Sequence, residues 1–375
     1  MLPDSIEYRI SLQRLLAALI LILVPVTVFG FYVALQGERH TRQMNGAHFR
    51  TITRISAAAT SAFVAERVND VGLIADEPTL IQAITAANRA YDRLSESAIR
   101  DRAEQIENKW NSPEGDPLLT NILTSESASL LLRHRELNPK LLKITVADQM
   151  GATLAATDKP LHYYQADREY WGALFARGSN VVYVADPRYD EQSHSTYISI
   201  SFPVLQVGSG RFIGAVTALV DMTPLFVDLN QQQIARTGRL FLVKDDGTVI
   251  SAPGVTPAMK VKSEEYAAIR DALGTLQGRE AGYMDVTLPN GGAYLVGFAD
   301  TGLKQAYPNL GWIVIASQDE REASLPIRNI AYFAFLVMIL GLLMLTVLGA
   351  YLFQHRKLQL VDLEVPQPKG PDVAA

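Results

Sequence analysis

Hydrophobic residues run without interruption in two parts of the chain and follow regular spacings in the rest. The stretches 15–35 and 330–353 contain no charged residue. Each has the roughly 20 apolar residues that a helix needs to cross a bilayer. The sequence therefore predicts two transmembrane helices, with short tails at 1–14 and 354–375 and a large region at 36–329 between them.

The first apolar stretch has the features of an uncleaved anchor. Its apolar core is too long for a signal peptide, and no small-x-small cleavage site follows it. Basic residues stand on the tail side of both stretches: Arg9 and Arg14 before the first, Arg356 and Lys357 after the second. This bias weakly favours both tails in the cytoplasm. We therefore expect region 36–329 outside the cytoplasm.

Between Thr41 and about Asp76, apolar residues recur every three to five positions without a proline. This spacing predicts a long amphipathic helix. Two interpretations remain open: a helix that packs against the rest of the region, and a lever that couples an outer domain to the membrane. Further helical patterns continue to about Leu132, with interruptions at Glu77-Pro78 and at 112–115.

From Leu141 onward the spacing changes to the alternation that is typical of strands. A strand, a glycine-containing turn and a second strand are predicted at 141–158, and strand-like runs follow at 181–186, 195–205 and 211–222. A helix is predicted next, with Thr223 as its N-cap and Pro224 at its first helical position.

The same series of elements then restarts. A strand pair is predicted at 239–253, a helix from Ser263 to about Leu276, and three strands in AGYMDVTLP, GGAYLVGFAD and GWIVIASQD. This is a degenerate internal repeat. The predicted fold class is α+β, with two tandem antiparallel-sheet modules: a distal one at about 140–222 and a proximal one at about 239–318.

Composition excludes several classes of function. A net charge of −5 and 48% hydrophobic residues over 375 positions are atypical of disordered chains and of basic nucleic-acid binders. The absence of cysteine excludes disulfides and thiolate metal sites. The six histidines have no metal-ligand spacing, and no Walker loop, HExxH or GxSxG motif is present. We therefore expect no catalytic residues, no metal and no cofactor, and a protein that is not an enzyme.

The stretch DREYWGALFARG, at 167–178, is the best candidate for recognition chemistry. It places Arg168, Tyr170 and Trp171 within four positions, and Tyr163 stands five residues before the arginine. A guanidinium holds a carboxylate by two charge-assisted hydrogen bonds, and aromatic rings exclude water around it. The alternative is an ordinary helix start, in which Asp167 is the N-cap, Trp171 packs inward with Phe175, and Arg168 is a solvated charge.

The order of elements over roughly residues 36–325 resembles the double Cache sensor domains of bacterial receptors, whose modules are PAS-like. ITVADQMGATLAATD and FLVKDDGTVISAP are similar to the opening strand pairs of the two modules, and GWIVIASQD is similar to the closing strand. In amino-acid-binding members a tyrosine, an Arg-x-Trp-Tyr motif and two aspartates form the distal pocket. The resemblance implies the following ligand-binding residues here: Tyr163, Arg168, Tyr170, Trp171, Asp190 and Asp221.

Two positions depart from the family pattern. Tyr170 and Trp171 stand in the reverse order, and Arg188 replaces a tyrosine expected two residues before the first aspartate. Arg188 adds positive charge near the expected amine site, which weakens the case for a plain amino acid and leaves room for another carboxylate.

The resemblance implies a multi-pass protein of the cell inner membrane with a periplasmic sensor domain that binds an amino acid, an amine or another small carboxylate. Only 22 residues follow Phe353, too few for a kinase, cyclase or methyl-accepting domain. We therefore expect contact with the lipid bilayer, a separate cytoplasmic or membrane signalling partner, and a homodimer or hetero-complex through the 41–76 helix. The alternative function is a membrane-tethered interaction or scaffold protein whose sensor domain is degenerate and binds no ligand.

Overall fold

The structure is a computed structural model that describes residues 12–176, 181–191, 193–232, 234, 237–274 and 281–361. Gly46–Glu320 forms one compact unit, and the described parts of the two flanking segments form another. No helix among the described residues is long and apolar enough to cross a membrane. The two predicted spans are therefore not confirmed.

Within the described residues, five α-helices precede the first sheet: α1 (Leu12–Ala75), α2 (Pro78–Arg89), α3 (Glu96–Lys109), α4 (Asp116–Thr124) and α5 (Glu126–Leu137). The predicted helix at 41–76 is confirmed and lies within α1. Local sequence sets two of the helix starts, because the Ser95 and Ser125 hydroxyls accept the N–H groups of Ala98 and Ala128. Pro78 begins α2, where its missing N–H costs no helical hydrogen bond.

The distal module is one antiparallel sheet with a short helix. Its elements are β1 (Leu141–Asp148), β2 (Thr153–Ala156), α6 (Glu169–Ala176), β3 (Tyr183–Val184), β4 (Arg188–Asp190), β5 (Ser195–Leu205) and β6 (Phe212–Asp221). The strand order is β2-β1-β6-β5-β3, and β4 pairs with β5 beside β3.

The proximal module repeats this order. Its elements are α7 (Thr223–Gln231), β7 (Arg239–Lys244), β8 (Val249–Ser251), α8 (Glu264–Leu273), β9 (Ala281–Thr287), β10 (Ala293–Asp300) and β11 (Trp312–Asp319), followed by α9 (Glu320–Val361). The order β8-β7-β11-β10-β9 places the opening hairpin and the last strand as in the distal sheet. The predicted internal repeat and the α+β fold class are confirmed.

Three local predictions need correction. Thr223 is the first residue of α7 and Met222 is the N-cap, because the Asp221 carboxylate accepts the Thr223 N–H and replaces a capping hydroxyl. The strand predicted at 181–186 is reduced to β3, because only Tyr183 and Val184 pair with β5. The short strand β4 was missed. The helix predicted to about Leu276 corresponds to α8, which ends at Leu273, and Leu276 itself lies outside the described residues.

One apolar cluster joins α1 to both sheets. It contains residues of α1 from Phe49 to Ala75, the apolar face of the distal sheet and alternate residues of β7, β10 and β11. The approach of α1 to the proximal sheet requires a glycine, since a Cβ at Gly297 would lie 2.8 Å from the Phe49 Cβ. From Phe49 to Ala75 the helix is therefore a packing helix, as one of the two sequence interpretations proposed.

The two faces of β5 have different energetic roles, and a matched pair of substitutions tests them. Ile198 is fully buried against the α1 cluster, whereas Ser199 points to the opposite face. We expect Ile198→Ala to lower the free energy of unfolding by about 2–5 kcal/mol through the cavity it leaves. Ser199→Ala should cost less than about 1 kcal/mol. Urea unfolding of both variants measures the difference, and equal losses would contradict this assignment of faces.

Candidate ligand-binding cleft

Alternation along three strands of the distal sheet creates the floor of a cleft. Ile144, Val216 and Ile198 are fully buried on the face toward α1. Their neighbours one position away point to the other face, because successive side chains of a strand alternate. The floor residues from β1, β5 and β6 are Lys143, Thr145, Tyr197, Ser199, Thr217 and Leu219.

Two chain segments form the walls above this floor. One runs from Asp158 to Tyr170 and enters α6, and the other runs from Tyr183 to Ser193 through β3 and β4. Together they enclose a cleft of about 1010 Å³. This volume is at the upper end of the range for small-molecule pockets, roughly 300–1,000 Å³.

Glu107 of α3 holds the first wall in place. Its Oε2 accepts the backbone N–H groups of Tyr163 (2.7 Å) and Tyr164 (2.9 Å), and its Oε1 lies 2.7 Å from His162 Nδ1. On the other side of the segment, the Tyr163 carbonyl accepts both the N–H and the hydroxyl of Thr153, at 3.0 and 2.6 Å. The wall is therefore fixed by its backbone, which leaves its side chains available to the cleft.

The predicted aromatic residues divide between the cleft and the core. Tyr163 is 8% exposed and packs on Trp110, with ring centroids 5.5 Å apart. Trp171 is 7% exposed and meets Phe212 edge to face at 5.6 Å. Of the three, only Tyr170 lines the cleft, and its hydroxyl donates to Gln165 Oε1 at 2.9 Å. Tyr163 and Trp171 thus support the walls from behind.

Two charged side chains of opposite sign line the cleft, and each has a buried atom without a hydrogen-bond partner. Arg168 Nη2 donates to Asp167 Oδ2 at 3.3 Å, and Arg168 Nε lies 3.0 Å from Asp167 Oδ1, but this buried Nε has no hydrogen-bond partner of its own. Asp186 Oδ2 accepts Lys244 Nζ at 2.7 Å, while Asp186 Oδ1 is buried and has no donor. A buried polar atom without a partner costs about 1–3 kcal/mol. Both atoms therefore gain from a bound group of opposite charge.

The two predicted aspartates lie at the end of the floor near β4. Asp190 lines the cleft and accepts the Ser193 hydroxyl at 2.9 Å. Asp221 is outside the lining, although it follows Leu219 on the same face of β6 and pairs in register with Tyr197. Its Oδ1 accepts the Thr223 N–H at 2.8 Å.

The structure thus brings Arg168, Tyr170 and Asp190 together in one cleft and places Tyr163, Trp171 and Asp221 around it. Sequence reasoning missed Asp186. The feature that could have identified Asp186 is its position as the last residue of the strand-like run VVYVAD. It also missed Lys143, which precedes the buried Ile144 on β1 and therefore points to the polar face.

Among the described residues, no cluster of histidine and carboxylate side chains could hold a metal ion.

The model of the Cache domain family, in its double form, matches residues 41–327. This match covers more than half of the chain, which therefore belongs to the double Cache family.

Solved structures with low sequence identity are also similar to this chain. The ligand-binding domain of the Pseudomonas fluorescens chemoreceptor CtaA, in complex with L-isoleucine, is 17% identical, with a TM-score of 0.47 and 76% of this chain and 97% of that chain covered. The ligand-binding domain of the Pseudomonas aeruginosa PAO1 amino acid chemoreceptor PctC, in complex with GABA, is 16% identical, with a TM-score of 0.45 and 72% and 97% covered. No curated protein sequence is significantly similar to this chain.

The Glu107 contacts make a specific prediction about stability. Glu107→Ala leaves the N–H groups of Tyr163 and Tyr164 without their acceptor, and we expect a loss of about 1–3 kcal/mol in the free energy of unfolding. Glu104, exposed on the same helix, is the matched control, and Glu104→Ala should change stability by less than about 0.5 kcal/mol. Urea unfolding followed by circular dichroism measures both, and a neutral Glu107→Ala would refute the clamp.

Burial also predicts the alkaline behaviour of the cleft. Desolvation raises the pKa of Tyr163 and of Tyr170 to about 12, from an ordinary value of 10.0. The folded state therefore binds these protons more tightly than the unfolded state does. Their contribution to stability is complete below about pH 10 and is lost as the pH rises toward 12. Tyr170→Phe should make the loss between pH 10 and 12 shallower, as measured by urea unfolding at each pH. An unchanged slope would contradict a buried, protonated Tyr170.

Proposed function

We propose that this chain is an extracytoplasmic sensor whose distal module binds an amino acid, an amine or another small carboxylate in the cleft. Arg168 Nε and Asp186 Oδ1 carry the proposal, since both are buried atoms without a hydrogen-bond partner and belong to side chains that line the same cleft. A zwitterion supplies a carboxylate to the first and an ammonium to the second. Hydrogen bonds of this charge-assisted kind contribute about 1.5–3 kcal/mol each.

The other residues have supporting roles in this proposal. Tyr170 forms part of the wall beside Arg168, and Asp190 adds negative charge near the ammonium. Tyr163 and Trp171 fix the shape of the walls through their contacts with Trp110 and Phe212. Asp221 continues the floor beyond Leu219 and contributes through its negative charge.

Membrane anchoring and signalling belong to the same proposal. Anchoring through 15–35 and 330–353 rests on their uncharged sequences and on large apolar side chains of α9 that are exposed, such as Phe333 and Met344. The sensor would then lie in the periplasm and pass its state to a separate partner. Ile55 and Leu73 of α1, which are 60% and 68% exposed, offer apolar contacts for a second copy or that partner.

Ligand-dependent stabilisation of the full-length chain tests the binding site. A ligand at 100 times its dissociation constant should raise the free energy of unfolding by about 2.7 kcal/mol. We expect Arg168→Ala to abolish this gain for every carboxylate ligand, because the guanidinium is the group that binds the acid. Asp186→Asn should abolish the gain for amines and amino acids but retain it for simple carboxylates. Thermal unfolding with each of a panel of amino acids, amines and carboxylates measures the gain.

A matched control distinguishes loss of a charge in the cleft from loss of a charge elsewhere on the surface. Arg133 is exposed on α5 and does not line the cleft, so Arg133→Ala should leave the gain unchanged. If a ligand stabilises Arg168→Ala and Asp186→Asn as much as it stabilises the unsubstituted chain, the site is elsewhere. If no member of the panel stabilises the chain, the scaffold interpretation replaces the sensor.

A further inference from the structure

The cleft satisfies its negative charges more completely than its positive ones. Five carboxylates line it, and each contacts at least one group of the protein. Three of the contacts are cationic and two are hydroxyl groups. They are Asp158 with Arg135, Asp167 with Arg168, Asp186 with Lys244, Asp190 with Ser193, and Glu169 with Tyr183.

Four cations line the cleft, and two of them contact other side chains of the protein. Arg168 pairs with Asp167, and Lys159 lies 5.6 Å from the ring centre of Trp110. Lys143 and Arg188 have no hydrogen-bond or ion-pair partner among the residues that the structure describes, and both are exposed. Positive charge in the cleft is thus available to a ligand in addition to that of Arg168.

Strand register places these two cations at opposite sides of the floor. Lys143 on β1 pairs with Leu219, which pairs in turn with Ser199. Arg188 on β4 pairs with Tyr197 at the other edge of the sheet. Neighbouring strands lie about 4.8 Å apart, so a small ligand on the floor lies between two long basic side chains.

We infer that the ligand carries a second acidic group and that Lys143 and Arg188 select for it, so that the preferred ligand is an acidic amino acid. This inference rests on the proposed function. In it, Arg168 binds the α-carboxylate, Asp186 binds the ammonium, and the side-chain acid lies in the positive field of Lys143 and Arg188. A neutral amide of the same size keeps the first two contacts and loses only the last.

Isosteric ligand pairs isolate the second acid. We expect L-glutamate or L-aspartate to bind the chain about tenfold more tightly than its amide, since two exposed ion pairs each contribute modestly to affinity. Isothermal titration calorimetry measures both dissociation constants. Because the contacts are exposed, raising the salt concentration should weaken binding of the acid more than binding of the amide. Glutarate, which has two acids and no ammonium, should bind more weakly than L-glutamate.

Substitutions at the two cations complete the test. The double variant Lys143→Gln/Arg188→Gln should bring the preference for acid over amide close to one while amide binding is retained. Arg133→Gln, an exposed change outside the cleft, should keep the preference. The inference is overturned if the chain binds the amide as well as the acid, if the double variant keeps the preference, or if glutarate matches glutamate.

The outcomes also distinguish this inference from the proposed function. Binding of neutral amino acids that requires Arg168, without a preference for acids, overturns only the inference. Binding of amines or simple carboxylates but of no amino acid also overturns only the inference, and absence of binding by every amino acid, amine and carboxylate overturns both.

Discussion

The alternation of side chains on β1, β5 and β6 is the constraint on which the other features of the distal module depend. One face of these strands is apolar and packs on α1, and the other is polar and forms the cleft floor. A shift of one residue in register would exchange the two faces and bury Lys143 in the core. The energy of burying residues such as Ile198 therefore also fixes which polar groups face a ligand.

Above this floor, backbone contacts hold the wall that contains Tyr163 in place. Glu107 binds two main-chain N–H groups of one wall, and Thr153 binds a main-chain carbonyl of the same wall. Arg168 and Asp186 are left with buried atoms that no neighbour satisfies. Burial of these atoms without a partner lowers the stability of the fold, and a ligand of complementary charge would remove this penalty.

The cleft is also in contact with the proximal module. Asp186, whose Oδ1 is buried without a hydrogen-bond donor, accepts Lys244 Nζ at the end of β7 through its Oδ2. Close by, Asn309 donates to the Val184 carbonyl of β3 at 3.3 Å. An ion pair and a hydrogen bond therefore connect the two modules at the side of the cleft.

Period and spacing in the sequence were sufficient for the order of elements. The helix at 41–76, the strands at 195–205 and 211–222 and the restart at 239 follow from hydrophobic periodicity, which is a local property. Strand β4 was missed because three residues, RYD, are too short for any period. Met222 and Asp221 start α7 through a side-chain contact that the Thr-Pro pattern does not reveal.

The candidate site was predicted less completely, because lining a cleft is a property of neighbours in space. The sequence by itself determined that Arg168 and Tyr170 stand two positions apart at the start of a helix and that Asp190 lies in a polar segment. Only the tertiary structure decided that Tyr163 and Trp171 are buried against Trp110 and Phe212. It also decided that Asp186 and Lys143 face the cleft. The reason is that sheet register and the packing of α1 choose which face of each strand is covered, and both connect residues far apart in sequence.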